Sequence, residues 1–463
     1  MLQTWIVIIY VAITLLIGFW SKKKSKTTKS FEGANLGLLL CVVAGAGEWL
    51  GGTSTTGVSE YGYVYGISGA WYTIANGLGI CFLAIFFAKL FRSLETPTVS
   101  GIIGKYIGRK AKMVSSALLI FIMMAVGTSQ MVAIGTLGET LFGLNSVLAI
   151  LIMGSGVLVY TVLGGMMAVG YTNIMHIVVM YVGAILAVVL CANDINGFAG
   201  LKANLPESYF SPFSIGYPKV FSWIIASVLG ACTAQAGLQP VLAAKDEKTA
   251  VKSSFSIAAL VAPFGILTVL LGMIAKVKFP DLPDAKLALP NLLLSLPPLA
   301  GGFIIASILA AVLSTASPIF LACGTLFTRD IFQEVGKGSE AGDKKLLKVS
   351  RITTFVAGAI CIVFAIILGK TSMVLDMVYF AYSLRGSLFI ILLLAIYWKK
   401  TSQKGAIVAM VLTGIAGFSW VLYKSIYGVY PIHPAFSETY IAIIVALVTT
   451  IVGSLVFKKN ANK

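Results

Sequence analysis

The sequence predicts an all-α polytopic membrane protein with about thirteen transmembrane helices, and three observations carry the prediction. Of 463 residues, 58% are hydrophobic and only 11% are charged, against roughly 25% charged in a soluble domain. Apolar runs of about 20 residues, each enough to cross a roughly 30 Å hydrocarbon core, recur along the chain. The cations gather in alternate loops between those runs.

Taken in order, the runs fall near 3–21, 35–61, 67–91, 113–138, 145–163, 167–192, 219–243, 252–275, 299–327, 351–369, 373–398, 404–427 and 439–457. The first could be mistaken for a signal peptide, whose cations precede its apolar stretch. Here Met1–Thr4 is uncharged and Lys22–Lys24 follow, so a retained anchor with its N-terminus outside is expected. With that start, 26 of the 34 Lys and Arg fall in inside loops, 7 fall outside, and Arg385 lies within a span. Such a bias is the positive-inside signal. It places the chain in the inner (plasma) membrane with the C-terminus, near Lys458 and Lys459, in the cytoplasm.

The formal charge of +17 therefore orients the protein and gives no indication of nucleic acid. The six cysteines are scattered through apolar spans without CxxC or metal spacing, and they read as small packing residues. The two histidines, His176 and His433, form no HExxH, and no Walker-type loop is present. No enzyme, no organic cofactor and no obligatory protein partner is indicated. The polar stretch 329–348 reads as a flexible linker.

Function is sought among polar groups at membrane depth, which hydrocarbon penalises. In the second span, Ala44 to Gly57 carries five glycines and a run of hydroxyls, each glycine costing about 1 kcal/mol of helix propensity. A break there frees carbonyls and amides for an ion or solute; close packing by small residues is the alternative. In the ninth span Ala311, Ser314 and Thr315 share one helical face. Pro318 donates no amide and so frees the carbonyl of Ser314. Oxygens on that face suit a small hard cation, although hydroxyls can also simply bond the preceding turn.

Several strings resemble those of the sodium/solute symporter family, which includes proline, pantothenate, glucose and iodide carriers. Gly57 through Tyr63-Val64-Tyr65-Gly66 resembles the exit of that family's first core helix, and Tyr160 to Val169 its "YTxxGGxxAV" loop. Leu242 to Ala250 resembles the turn after the sixth core helix, and Tyr397-Trp398-Lys399-Lys400 with Lys404-Gly405-Ala406 the exit of the tenth. The most specific match is Ile308–Asp330, closing on Phe327-Thr328-Arg329-Asp330. The resemblance implies a leucine-transporter-type core of five plus five inverted helices. One extra helix and its loop (1–33) would precede repeat one (34–192). An outer loop (193–218), repeat two (219–400) and two further helices (401–463) would follow.

Carried onto this chain, the resemblance implies a sodium site of the Gly47, Leu50 and Ala311 carbonyls with the Ser314 and Thr315 hydroxyls. It implies that sodium is co-transported with a small polar solute. Two departures stand out. The family's Thr-Asp-x-x-Gln is here Thr172-Asn173-Ile174-Met175-His176, and its Gln-Arg is Gln239-Pro240. Glu48, beside the implied sodium carbonyls, could balance charge there or carry a coupled proton.

Solute contacts in such a fold lie at the midplane between broken helices. The candidates are Thr53, Ser54, Tyr72, Asn76, Gln130, Thr233, Gln235, Gln239, Tyr379, Tyr382 and Arg385; for each, an interhelical hydrogen bond is the alternative. A guanidinium at the depth of Arg385 needs an anion, whether Asp376, Glu48 or a solute carboxylate. Asp376 lies some 13 Å away by helical rise, so an anionic or zwitterionic solute is favoured. An uncoupled facilitator and a membrane-embedded solute sensor are the competing classes.

Overall fold

In the computed structural model, residues 2–335, 338, 340–368, 373–433 and 435–457 are described. The side chains of 24, 140–142, 368, 373–377 and 379 are not described. Fourteen helices organise the chain: α1 (Leu2–Ser21), α2 (Leu38–Trp49), α3 (Val58–Tyr65), α4 (Trp71–Phe86), α5 (Arg109–Phe142), α6 (Ser146–Asn193), α7 (Tyr217–Gly230), α8 (Gln235–Leu242), α9 (Glu247–Lys278), α10 (Pro298–Leu326), α11 (Asp343–Leu368), α12 (Met373–Tyr397), α13 (Gln403–Tyr427) and α14 (Glu438–Val456). Shorter helices and turns join them. Among the described residues no sheet forms; Leu36 and Ala244 make a lone bridge.

Among the described residues, ten stretches of helix are long and apolar enough to cross a membrane, or eleven if the bent pair 217–233 and 235–242 is one span. The expected thirteen is not reached by this measure. The difference lies where expected spans run together. Residues 53–86 form one stretch, and α6 joins the runs expected at 145–163 and 167–192. The 48 residues of α6 are two helical segments, 146–164 and 166–193, that meet at a kink; at about 1.5 Å per residue they measure roughly 28 and 42 Å, each enough for one bilayer core. Gly165 interrupts that helix at φ 54°, ψ −145°. A Cβ at Gly165 would sit 2.5 Å from the Phe31 ring and carbonyl, so only glycine fits the bend.

Burial follows the hydrophobic pattern. Helix α10 is apolar all round, and every residue from Ile304 to Leu326 is buried, as expected for a central helix. It packs on α6, α5, α1, α11 and α2. By contrast α1 presents Trp5, Ile9, Leu16 and Trp20, and α14 presents Val448, Val452 and Leu455, to the outside. In a bilayer those side chains face lipid at no cost.

Two helices break beside α10. Helix α2 ends at Leu50, whose backbone leaves the helical region (φ −99°, ψ 51°). Gly51 and Gly52 follow, then a π-helical turn over Thr53–Gly57 before α3. The glycine run thus interrupts the helix, one of the two outcomes its composition left open. The second break separates α7 from α8 through a 3-10 turn at Ala231–Thr233 and Ala234 (ψ 82°), with a 45° bend.

Candidate ion and solute site

The first cluster forms where α2 ends against α10. Thr315 Oγ1 donates to the Gly47 carbonyl at 2.6 Å and reaches the Glu48 carbonyl at 3.4 Å. Ser314 Oγ donates to the Ala311 carbonyl at 2.8 Å and lies 3.3 Å from that of Gly47. Gly47, Ala311, Ser314 and Thr315 are therefore brought together, all buried. Leu50 is buried at the helix end beside them. Glycine at 47 and 51 is required for this approach. A Cβ at Gly47 would fall 2.1 Å from Asn173 Nδ2, and one at Gly51 would fall 2.4 Å from Thr315 Oγ1.

Polar side chains answer the backbone groups freed by the breaks. Gln130 Oε1 accepts from the Gly52 N–H at 2.9 Å. Asn173 Nδ2 donates to the carbonyls of Val43 (3.3 Å) and Ser314 (3.5 Å), the latter being the carbonyl that Pro318 leaves without an amide. In the sequence Asn173 stands out only as a departure from the family pattern; an amide at membrane depth, on a helix facing a proline-freed carbonyl, is the signal that marks it. One turn on, His176 Nδ1 bonds the Tyr10 hydroxyl of α1.

The second cluster joins α2, α4 and α12. Arg385 Nη2 donates to Glu48 Oε1 at 3.0 Å, and both side chains are almost fully buried. Glu48 is thus the anion that Arg385 needs, and its carboxylate is committed to the guanidinium rather than standing free beside the Gly47 and Ala311 carbonyls. The guanidinium lies 4.9 Å from the Tyr382 ring centroid, and the Tyr382 and Tyr72 hydroxyls are 2.8 Å apart. Thr233, at the second break, donates to the Arg385 carbonyl at 2.6 Å. Asn76 Oδ1 accepts from Ser227 Oγ at 2.8 Å.

Other candidates are placed differently. Ser54 Oγ donates to Gly51 within the turn, its carbonyl accepts from Thr268, and Thr53 is half-buried beside it. Gln235 and Gln239 are not joined to the tyrosine–arginine group. Gln235 accepts from the Val99 N–H and donates to Pro97 and to Gln239 Oε1. Gln239 donates to the Glu32 carbonyl and to Thr325. Their amides are spent on interhelical bonds, the alternative that the sequence left open. The Tyr379 and Asp376 side chains lie outside the described residues.

The two ends of this region differ. Toward the 193–218 and 428–437 loops, Tyr72, Trp223 and Tyr382 line a pocket of only about 10 Å³, with Lys219 and Glu438 at its rim. At the opposite end, beyond α8, a cavity of about 510 Å³ is bordered by Glu32, Arg92, Lys112, Arg329 and Asp330. Arg329 Nε donates to Glu32 Oε2 at 2.5 Å. Lys112 lies 3.3 Å from Asp330, whose carboxylate also accepts from Thr98 and Ser100. Burial pushes the Glu32 carboxyl up to about 7, against the lowering pull of Arg329. These pairs join residues more than two hundred positions apart, and no sequence spacing announces them.

A helical membrane protein with two helices broken against one central buried helix is a transporter of the leucine-transporter-type fold. The chain belongs to the sodium:solute symporter family, whose model matches residues 31–414. It is similar to the osmoregulated proline transporter OpuE of Bacillus subtilis (strain 168), at 26% identity over 95% of this chain and 94% of that protein. The fold matches that of a Na+-coupled sialic acid symporter in a substrate-bound outward-open state. There the TM-score is 0.84 at 19% identity, over 99% of both chains. A second neighbour is MHP1, a nucleobase-cation-symport-1 family transporter in a closed conformation with bromovinylhydantoin bound. It covers 93% of this chain and 94% of its own, with TM-score 0.62 and 13% identity.

Proposed function

We propose that the protein couples sodium influx to uptake of a small polar solute, anionic or zwitterionic, by alternating access. The observation that carries this reading is the meeting of the Gly47 and Ala311 carbonyls with the Ser314 and Thr315 hydroxyls at the break in α2. An uncharged, all-oxygen set of this kind suits a small monovalent cation, and Leu50 at the helix end supplies a further carbonyl. Family membership and the Na+-coupled neighbour support sodium as that cation. The proline transporter among the relatives supports a solute of amino acid size.

In this reading repeat one is 34–192 and repeat two is 219–400. The lysine-rich loops and the C-terminus are cytoplasmic, and the N-terminus is outside. The solute lies among Tyr72, Asn76, Tyr382 and Arg385, with Thr53, Ser54 and Gln130 on the ion side. The conformation is closed by Tyr72 and Tyr382 outside and more open within. One sodium moving down 100 mV supplies about 2.3 kcal/mol, and a tenfold gradient adds about 1.4 kcal/mol. Together they sustain several hundredfold accumulation. The test is uptake of labelled amino acids and carboxylates into proteoliposomes under an imposed sodium gradient at clamped pH. Sodium-driven, saturable accumulation is expected. Uptake driven only by a proton gradient, or equal with and without either gradient, would overturn the sodium reading.

A further inference from the structure

The Glu48–Arg385 pair is a buried ion pair with an incomplete set of hydrogen bonds. A single contact of 3.0 Å joins the two side chains. Glu48 Oε2 and Arg385 Nε and Nη1 have no hydrogen-bond partner, and neither does Asn76 Nδ2. Asn76 stands one turn beyond Tyr72 on the same face of α4. Charges withdrawn from water are tolerable when their remaining lone pairs and N–H groups are also satisfied, and a half-satisfied network is worse than an apolar core. A purely structural staple between α2 and α12 would be served better by a bidentate pair. The geometry instead leaves one anionic acceptor and two cationic donors buried without a partner, available to a solute that enters between the helices.

Resting on the symporter reading above, we infer that Glu48 and Arg385 together form the head-group site for a zwitterionic, amino acid-type solute. Its carboxylate accepts from Arg385 Nε and Nη1, and its ammonium donates to Glu48 Oε2. A monocarboxylate would satisfy the guanidinium but face the Glu48 charge and leave Oε2 bare. An amine would do the reverse. A zwitterion completes both sets without changing the net charge of the pair. Its path is also defined: Tyr382 lies against the guanidinium, and the Tyr72–Tyr382 hydroxyl pair must part to admit a solute from the small pocket beside Trp223.

The test uses the purified full chain and follows thermal unfolding in sodium and in choline. Each proteinogenic amino acid is added in turn, along with propionate and ethylamine as the two separated halves of alanine. Sodium alone is expected to raise the unfolding temperature. At least one neutral amino acid is expected to raise it further in sodium, and neither half-molecule should do so. Arg385→Gln alone strands the Glu48 charge and is expected to fold poorly. The double variant Glu48→Gln/Arg385→Gln removes both charges together. It should keep its yield and its sodium response while its amino acid midpoint weakens by at least about thirtyfold. A wild-type protein insensitive to sodium overturns the symporter reading itself. A sodium response with no amino acid response, propionate acting as well as an amino acid, or a double variant with the native amino acid midpoint overturns this inference alone.

Discussion

Thr315 offers the sharpest test of the ion site. Its hydroxyl is held 2.6 Å from the Gly47 carbonyl in a position so tight that a methyl at Gly51 would come within 2.4 Å of it. Thr315→Val preserves the branched shape and deletes only the oxygen, so packing around α10 should survive. Without sodium, the loss of one buried hydrogen bond should lower stability by about 1 kcal/mol. With sodium, the cation loses one oxygen ligand. Contacts of a hydroxyl with a charged group are worth about 1.5–3 kcal/mol, which converts to roughly ten- to hundredfold in the sodium midpoint. The assay is a sodium titration of unfolding temperature, with potassium at constant ionic strength as the control. Thr315→Ser, which restores the oxygen, should return the midpoint close to the native value. A Thr315→Val/Ser314→Ala double variant with the native sodium midpoint would refute the assignment.

Three further outcomes are expected. Glu32 carries a carboxyl that burial raises from 4.5 to about 7, with Arg329 lowering it and Asp330 and Asp343 raising it further. The present conformation is therefore favoured by protonation, and that preference is full below 4.5 and lost as pH rises through about 7. Labelling of a cysteine introduced at Ala34, on the rim of the large cavity, measured relative to a free thiol at the same pH, should slow across that window, and Glu32→Gln should flatten the profile. Gly66→Ala places a Cβ 2.1 Å from the Tyr209 carbonyl at a φ of +66°, so folded yield should collapse. Gly414→Ala, with nothing within 4 Å of its Cβ, should express normally. Tyr72→Phe removes the 2.8 Å hydroxyl contact with Tyr382. The loss of about 1 kcal/mol should speed labelling of a cysteine at Ser227, in the small pocket, by about fivefold.

What the sequence disclosed was whatever depends on local chemistry. The glycine and hydroxyl run at 44–57 made a break one of two readings, because each glycine lowers helix propensity, but close packing by small residues looks the same in sequence. The Ala311/Ser314/Thr315 face was legible because helical spacing is fixed. The requirement that Arg385 find an anion was legible too, since no guanidinium stays at that depth unpaired. Which anion was not, because Glu48 lies 337 positions away and only the fold brings α2 to α12. The same limit hid the Arg329–Glu32 and Lys112–Asp330 pairs. It also left Gln235 and Gln239 ambiguous: a polar side chain in a span looks the same whether a solute or a neighbouring carbonyl answers it. The span count was ambiguous for a different reason. A hydropathy run does not say how sharply the chain turns at its end, and in α6 the two runs expected at 145–163 and 167–192 meet at the non-helical Gly165 with no loop between them.

The placement of Gly47 and Glu48 next to one another bears on how ion and solute could be coupled. Thr315 holds the carbonyls of both residues, while the Glu48 side chain turns the other way and holds Arg385. One residue thus touches the proposed ion cluster through its backbone and the proposed head-group site through its carboxylate. No chain of intermediates is needed to connect them. A cation drawing in the Gly47 carbonyl fixes the end of α2 and with it the direction of the Glu48 carboxylate. A solute engaging that carboxylate fixes the same segment from the other side. Each ligand removes conformational freedom that the other would have had to remove, which is sufficient for positive cooperativity and obliges the coupling to be reciprocal. The break at Leu50–Gly52 confines this effect to a short segment. An unbroken helix would spread the same displacement along its whole length and into lipid-facing contacts that bind neither ligand.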